Sequence, residues 1–284
     1  MTRSLRERAD LLTILLGREV DNDSVVVMGT GTPLTAVATL FALRNHAAGA
    51  AYTTPLAGGM SVVPHTLSLG SLERAAYDHA VMRSTQIIDL WEMATINPKV
   101  ATRWLQFFRP AQMDQMGNMN NSLIGPAGGR QIRLPGSVGI GDMAAFYPRL
   151  FAYVTRHNPR AFPQQVDFVS APGTLGTVEQ RQARGLRWGR PLRVFTDLCV
   201  FEFDPEGRME LASVHPGVEI DEVVAATGFA FDSARAAITP APSASEQAAL
   251  EEIDPHGLRL LELLPARERR QVITEALERE RSRG

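Results

Sequence analysis

The sequence predicts an α/β fold, and three stretches predict it. Val25–Met28 is a run of strand formers that empties into Gly29-Thr-Gly-Thr-Pro33 and then into a helical stretch, Leu34–Leu43. Ala48–Leu56 reads as the next strand, so the chain opens with strand, glycine loop, helix, strand. Leu192–Phe203 reads as two short strands joined at Thr196-Asp197, and Asp204-Pro-Glu-Gly207 turns the chain into a returning strand, Met209–Val214. At 284 residues the chain can bury the core of one large domain, or of a domain with appendages.

Taken in order, Leu5–Gly17 has helical period with an apolar face of Leu11, Leu12, Ile14, Leu15 and Leu16, and Gly17 is placed to end it. Charges interleave its apolar positions, so it reads as a first helix and not as a signal segment. After Val25–Met28, Pro33 suits a first helical turn and Thr32 suits its cap. The loop resembles the opening of many nucleotide-binding sheets, but Leu34 stands where G-x-G-x-x-G needs glycine. Ser71 is a cap candidate for a helix from Leu72, Met82–Trp91 fits a short strand or a helix, and Val100–Phe108 is apolar and aromatic.

The segment Gly117–Asp142 concentrates polar and glycine positions: Asn118 and Asn120, a short strand Gln131–Leu134 ended by Pro135, then Gly136-Ser-Val-Gly-Ile-Gly141. A strand that empties into such a turn brings backbone N–H groups close to an anion or a polarised carbonyl. The same glycine density also suits a plain loop. Met143–Tyr153 reads as a helix or apolar loop, with Asp142 a cap candidate and Pro148 arguing for a break. Val166–Val169 is a strand candidate, Thr177–Gly189 a polar connector, and Glu219–Thr227 a helix. From Thr239 the composition changes, which predicts an α/β domain over 1–238 and, over 239–284, a linker and a peripheral C-terminal helix crowded with both charge signs.

A net charge of -2 gives no reason to expect nucleic acid or an anionic membrane as partner. The single cysteine, Cys199, excludes an internal disulfide and suits a reducing cytoplasm. No stretch approaches the roughly 20 apolar residues that span a bilayer. The six histidines lack metal-ligand spacing, so no metal is expected, and a G-x-S-x-G nucleophile elbow is absent. His157 lies between Arg156 and Arg160, a cluster able to hold a carboxylate or phosphate, or to pair structurally with a local aspartate. Asp167 and Asp197 sit near strand ends, where they can orient a histidine or arginine or accept turn N–H groups.

Several motifs in order carry a family resemblance. They are Gly117-Asn-Met-Asn120 with Ile124-Gly125; Leu134-Pro-Gly-Ser137 with Gly139 and Asp142; and Arg156–Arg160 through Val166–Gly173. Val194–Phe203 follows, with His215-Pro-Gly-Val and Glu222–Phe229. Over about residues 8–232 the chain resembles the β-type subunit of the family I coenzyme A transferases, such as glutaconate CoA-transferase, and of the related steroid ring-cleaving acyl-CoA hydrolases.

The resemblance implies a CoA-transferase-like open, largely parallel sheet flanked by helices, and an α-type partner subunit, usually as α2β2. It implies an acyl-CoA substrate, with coenzyme A entering as part of that substrate and no permanently bound cofactor. In the family's transferases a glutamate of the β-type chain attacks the acyl-CoA through a mixed anhydride and an enzyme-CoA thioester. That glutamate follows the second strand, where this chain has Tyr52-Thr-Thr-Pro55, and Thr53 is the position matched. A hydroxyl cannot form an acid anhydride, so the departure favours hydrolysis of a thioester or of a carbon–carbon bond beside a carbonyl. In the ring-cleaving relatives the essential glutamate is thought to come from the α-type chain. Transfer between carboxylic acids, with Glu73 or Glu92 as the carboxylate, and a catalytically silent scaffold are the alternatives. Under the enzymatic reading Thr53, Thr54 and Gly139 are the catalytic candidates. Gly29, Gly31, Asn118, Asn120, Gly136, Ser137, Gly141, Arg156 and Arg160 are the substrate-binding ones.

Overall fold

A capping box starts the first helix: Ser4 Oγ accepts the Glu7 N–H at 3.2 Å, and the Glu7 carboxylate accepts the Ser4 N–H at 2.7 Å. The computed structural model describes residues 4–29, 31–54, 59–61, 81–84, 101–137, 139–186 and 191–281. They belong to two units, Met1–Gln106 with Pro242–Gly284, and Phe107–Ala241. The helix expected from Leu72, together with Glu73 and Glu92, lies outside the described residues, as does most of Met82–Trp91.

In the first unit, α1 (Leu5–Arg18) buries the predicted apolar face. Gly17 does not end it. The glycine is buried, and a Cβ there would lie 2.6 Å from Phe41 Cδ1 and 3.0 Å from the Ala38 carbonyl, so it allows the next helix to approach. The expected strand–helix–strand unit follows as β1 (Val25–Val27), α2 (Pro33–Asn45) and β2 (Ala51–Thr54). β1 and β2 are parallel, in the register Val25↔Ala51, Val26↔Tyr52, Val27↔Thr53. β3 (Gly59–Ser61) pairs antiparallel with β2, and β4 (Val81–Ser84) with β3. On the other side of β1, β5 (Trp104–Phe108) pairs parallel, in the register Val25↔Trp104, Val26↔Leu105, Val27↔Gln106. Three valines in succession suit β1 because neighbours flank it on both sides and both its faces are covered.

The second unit opens with two small hairpins, β6 (Gln112–Met113) with β7 (Met119–Asn120) and β8 (Leu123–Ile124) with β9 (Ile132–Arg133). The strand expected over Gln131–Leu134 is thus present as a pair of residues. Met143–Tyr153 is not one element. α3 (Ile140–Phe146) ends at Tyr147, whose extended ψ of 128° is what a residue before proline adopts, and β10 (Arg149–Val154) begins beyond Pro148. Asp142 sits in the first turn of α3, whose cap is Gly139. Val166–Val169 is not a strand: Phe168 and Val169 are 43% and 52% exposed, and pairing reaches only Ala171, which bridges Met119. The connector from Thr177 contains a short helix, α4 (Val178–Ala183), started by a Thr177–Gln180 capping box.

β10 pairs parallel with β11 (Pro191–Thr196). β12 (Cys199–Phe203) and β13 (Met209–Val214) continue antiparallel, as the turn at Asp204–Gly207 predicts. α5 (Ile220–Ala226) follows, and β14 (Ala237–Ile238) lies parallel to β13. The fold is α/β, with parallel pairs around β1 and at β10–β11 and antiparallel strands beyond them.

The chain then returns to its first unit. α6 (Ala244–Ile253), a 3₁₀ turn at Leu258–Leu260 and α7 (Ala266–Arg281) complete it. Leu250, Ile253, Leu258 and Leu261 join Ile14, Val37, Leu40 and Phe41 in one buried cluster. Arg259, with none of its surface exposed, reaches Asp10 at 2.5 Å, Glu251 at 2.5 Å and Asp254 at 2.9 Å. A guanidinium is tolerated there because carboxylates use its fork of donors.

Candidate active site

Parallel strands present their carboxyl ends to ligands in open α/β sheets, so the ends of β1 and β2 are the first place to look. Thr53 is fully buried and in register with Val27, the last residue of β1; its carbonyl accepts the Met28 N–H at 2.9 Å. Thr54 ends β2 one residue on. The loop carrying Gly29 and Gly31 leaves β1 directly beside Thr53. The structure therefore brings these four candidates to one strand edge.

Thr32 does not cap α2. Its hydroxyl donates to the Gly29 carbonyl at 3.0 Å and closes the loop, and the N-terminus of α2 is met instead by Glu262 of the C-terminal segment.

In the second unit a hydrogen-bond network knits the asparagine and glycine candidates together. Asp114 Oδ1 accepts the N–H groups of Met116 and Asn118, each at 3.1 Å. Asn118 Nδ2 donates to Asp114 Oδ2 at 3.0 Å, while its Oδ1 accepts the Gly173 N–H at 3.0 Å. Asn120, fully buried, donates to Gln112 Oε1 at 2.7 Å and to the Leu123 carbonyl at 2.6 Å, and accepts the Ser122 N–H at 3.0 Å. Both asparagine amides thus hold the chain's own turns.

Asp167 accepts from Gln112 Nε2 at 2.9 Å and from the Gly125 N–H at 3.0 Å, the turn-binding role open to a strand-end carboxylate. The Gly136 N–H donates to Asn121 at 2.9 Å, and the exposed Ser137 accepts the Ile140 N–H through its carbonyl at 2.8 Å. Gly139, at φ +78°, takes the left-handed conformation that starts α3, and a Cβ on Gly141 would meet the Ser170 carbonyl at 3.2 Å.

Arg156 and Arg160 are exposed beyond the end of β10, in a turn held by Asn158, whose Oδ1 accepts the Arg160 N–H at 3.0 Å. His157 between them is buried and faces other partners. Its Nδ1 lies 3.1 Å from Thr196 Oγ1, its Nε2 3.0 Å from Thr227 Oγ1, and its backbone N–H donates to Asp197 at 2.7 Å. Burial first, and His215 second, push its pKa down to about 3, so the ring is neutral at neutral pH. Cys199 is also buried, which pushes its thiol pKa well up and makes it no nucleophile. Among the described residues no group of three or more His, Cys, Asp and Glu is placed to hold a metal, and no helix is long and apolar enough to cross a membrane.

Two further residues belong beside these strand ends and carry no motif: Gln106, in register with Val27, and Glu262.

An α/β chain with a glycine loop and a polar strand edge is a common ligand-binding architecture, and comparison with known proteins narrows it. The family model described as Coenzyme A transferase matches residues 12–226, so the chain belongs to the coenzyme A transferase family. It is 28% identical over 251 residues to a glutaconate CoA-transferase subunit of Acidaminococcus fermentans, covering 87% of this chain and 92% of that one. It is 32% identical over 151 residues to the cholesterol ring-cleaving hydrolase IpdB subunit of Rhodococcus jostii, covering 52% and 58% of the two chains. Among solved structures, the decarboxylase AibA/AibB superposes with a TM-score of 0.74 at 27% identity, covering 89% of this chain and 96% of that one. A transferase, a hydrolase and a decarboxylase are all similar to this chain.

Proposed function

We propose that this chain is the β-type subunit of an enzyme that acts on an acyl-CoA together with an α-type subunit, as α2β2 or αβ, and that the reaction is hydrolytic. The observation that carries the reading is Thr53. At the end of β2, beside the last residue of β1, the chain holds a buried hydroxyl where the family resemblance implies a glutamate. An aliphatic hydroxyl is not ionised near neutral pH and cannot form the anhydride of the transfer mechanism. Water activated by a carboxylate of the α-type subunit is the simpler route, with Thr53 and Thr54 orienting water or the acyl chain. The likeness to a ring-cleaving hydrolase subunit supports this direction.

In this reading coenzyme A is part of the substrate, and the chain holds no cofactor of its own. The backbone N–H groups of the turn around Gly139 stabilise a developing oxyanion. Gly29 and Gly31 allow the ligand close approach beside Thr53 in the first unit, and Gly136, Ser137, Gly141, Arg156 and Arg160 are the binding candidates that belong to the second unit. Asn118 and Asn120 support the loop against which it lies.

The test is chemical. Borohydride reduces an enzyme-CoA thioester and marks its glutamate, so the acyl-CoA-loaded complex is treated and this chain is analysed for label. We expect no label, together with incorporation of oxygen-18 from water into the product. A label on this chain establishes transfer chemistry and ends the hydrolytic reading.

A further inference from the structure

Val27 has one polar residue in register on each side, Thr53 on β2 and Gln106 on β5. Residues in register on parallel strands stand on the same face of the sheet, so Thr53, Val27 and Gln106 form a row across the strand ends beside the glycine loop. The row is buried, at 0%, 1% and 5% exposure. With strands about 4.8 Å apart, its two polar ends have backbones roughly 10 Å apart, with the Val27 side chain between them. Gln106 Oε1 is enclosed and has no hydrogen-bond partner among the described residues. Buried polar atoms are nearly always paired, and one left unpaired points to something that completes it.

We propose that Gln106 is a ligand-positioning residue whose Oε1 accepts the N–H of the pantetheine amide nearest the sulfur of an acyl-CoA. The inference rests on the acyl-CoA reading above. The row carries no ionised group, so its complement is neutral, and the orphaned acceptor requires a donor. The thioester has no N–H or O–H, and the phosphates are charged acceptors. The pantetheine arm supplies secondary amides, the first of them two carbons from the sulfur. In that trans amide the N–H and the carbonyl point opposite ways, so Gln106 takes the N–H on Oε1 and leaves the carbonyl to other donors. The sulfur and acyl carbonyl then extend toward Thr53 at the other end of the row.

The complex with the α-type subunit, as wild type, Gln106→Met and Gln106→Asn, is titrated calorimetrically with coenzyme A, pantetheine and adenosine 3′,5′-bisphosphate. Gln106→Met keeps the volume and removes the amide. It should melt no lower than wild type, because no side-chain hydrogen bond to a described residue is lost, yet bind coenzyme A and pantetheine about three- to tenfold more weakly, with bisphosphate binding unchanged. Gln106→Asn withdraws the amide by one methylene and should weaken the same two probes, which keeps the test alive if the methionine variant does not fold. Affinities for coenzyme A and pantetheine within about twofold of wild type overturn the proposal, as does an equal loss on all three probes, the mark of a structural role. A wild-type complex that binds none of the probes overturns the acyl-CoA reading itself.

Discussion

Glu262 accepts the backbone N–H of Leu34 at 2.9 Å, although 228 positions separate the two residues in the chain. A carboxylate at this helix start satisfies an N–H that α2 cannot bond internally and sits at the positive end of the helix. Glu262→Ala should therefore cost about 0.5–2 kcal/mol, as loss of a cap does, with Glu262→Gln costing less. Urea unfolding of the two variants measures it; equal stability of wild type and Glu262→Ala would remove the capping role.

Arg259 holds the C-terminal segment to the first helix through Asp10 and to its own turn through Asp254, which is 1% exposed. Truncation to alanine leaves Asp254 buried and uncompensated, and should destabilise the fold by about 3–5 kcal/mol. In the double variant Arg259→Met, Asp254→Asn no uncompensated charge remains in that pair, so much of the loss should return. Thermal melts of the single and double variants decide the point.

Acid should weaken the protein in two stages. His157 has its pKa depressed to about 3 from 6.5, by burial and then by His215, so between those values the unfolded chain binds a proton that the folded chain refuses. Its contribution is complete above about pH 6.5 and declines as pH falls, by at most about 1.4 kcal/mol per pH unit. Glu246 is held down to about 2, first by its hydrogen bond from Arg18, and its contribution fades between 4.5 and 2. Stability measured from pH 7 downward should already fall near pH 6, and His157→Gln should flatten that upper stage alone.

Gly139 separates a turn from a catalytic feature. Alanine at φ +78° is strained and should cost about 1 kcal/mol; asparagine tolerates that conformation better and should cost less. If the turn's N–H groups serve the reaction, both variants lose turnover even though the asparagine variant melts close to wild type. Turnover that tracks stability across the two variants would assign Gly139 to the fold.

The legible parts of this molecule are those governed by local rules. Val25–Met28, the Gly29–Pro33 loop and the helix after it follow from periodicity and proline placement, and the Asp204–Gly207 turn follows from its residue types. β10 is hidden because the window opening at Met143 joins the last turns of α3 to a strand. Pro148 is the boundary, and the aromatic and branched residues of Leu150-Phe-Ala-Tyr-Val154 were the available signal. Val166-Asp-Phe-Val169 has the residue types of a strand but no partner strand among the described residues, and sequence alone reports only the former. Thr53 is visible through the family resemblance. Gln106 and Glu262 are not, since one depends on strand register and the other on a contact made from the far end of the chain.

That far-end contact has a consequence for how the molecule is made. Synthesis delivers residues in order, and the second unit, Phe107–Ala241, is continuous, so all its parts have been made while the first unit still lacks Pro242–Gly284. Until Leu250, Ile253, Leu258 and Leu261 emerge, the cluster around Ile14, Leu40 and Phe41 lacks those four neighbours. The first unit therefore completes its core only after the whole of the second unit has been made.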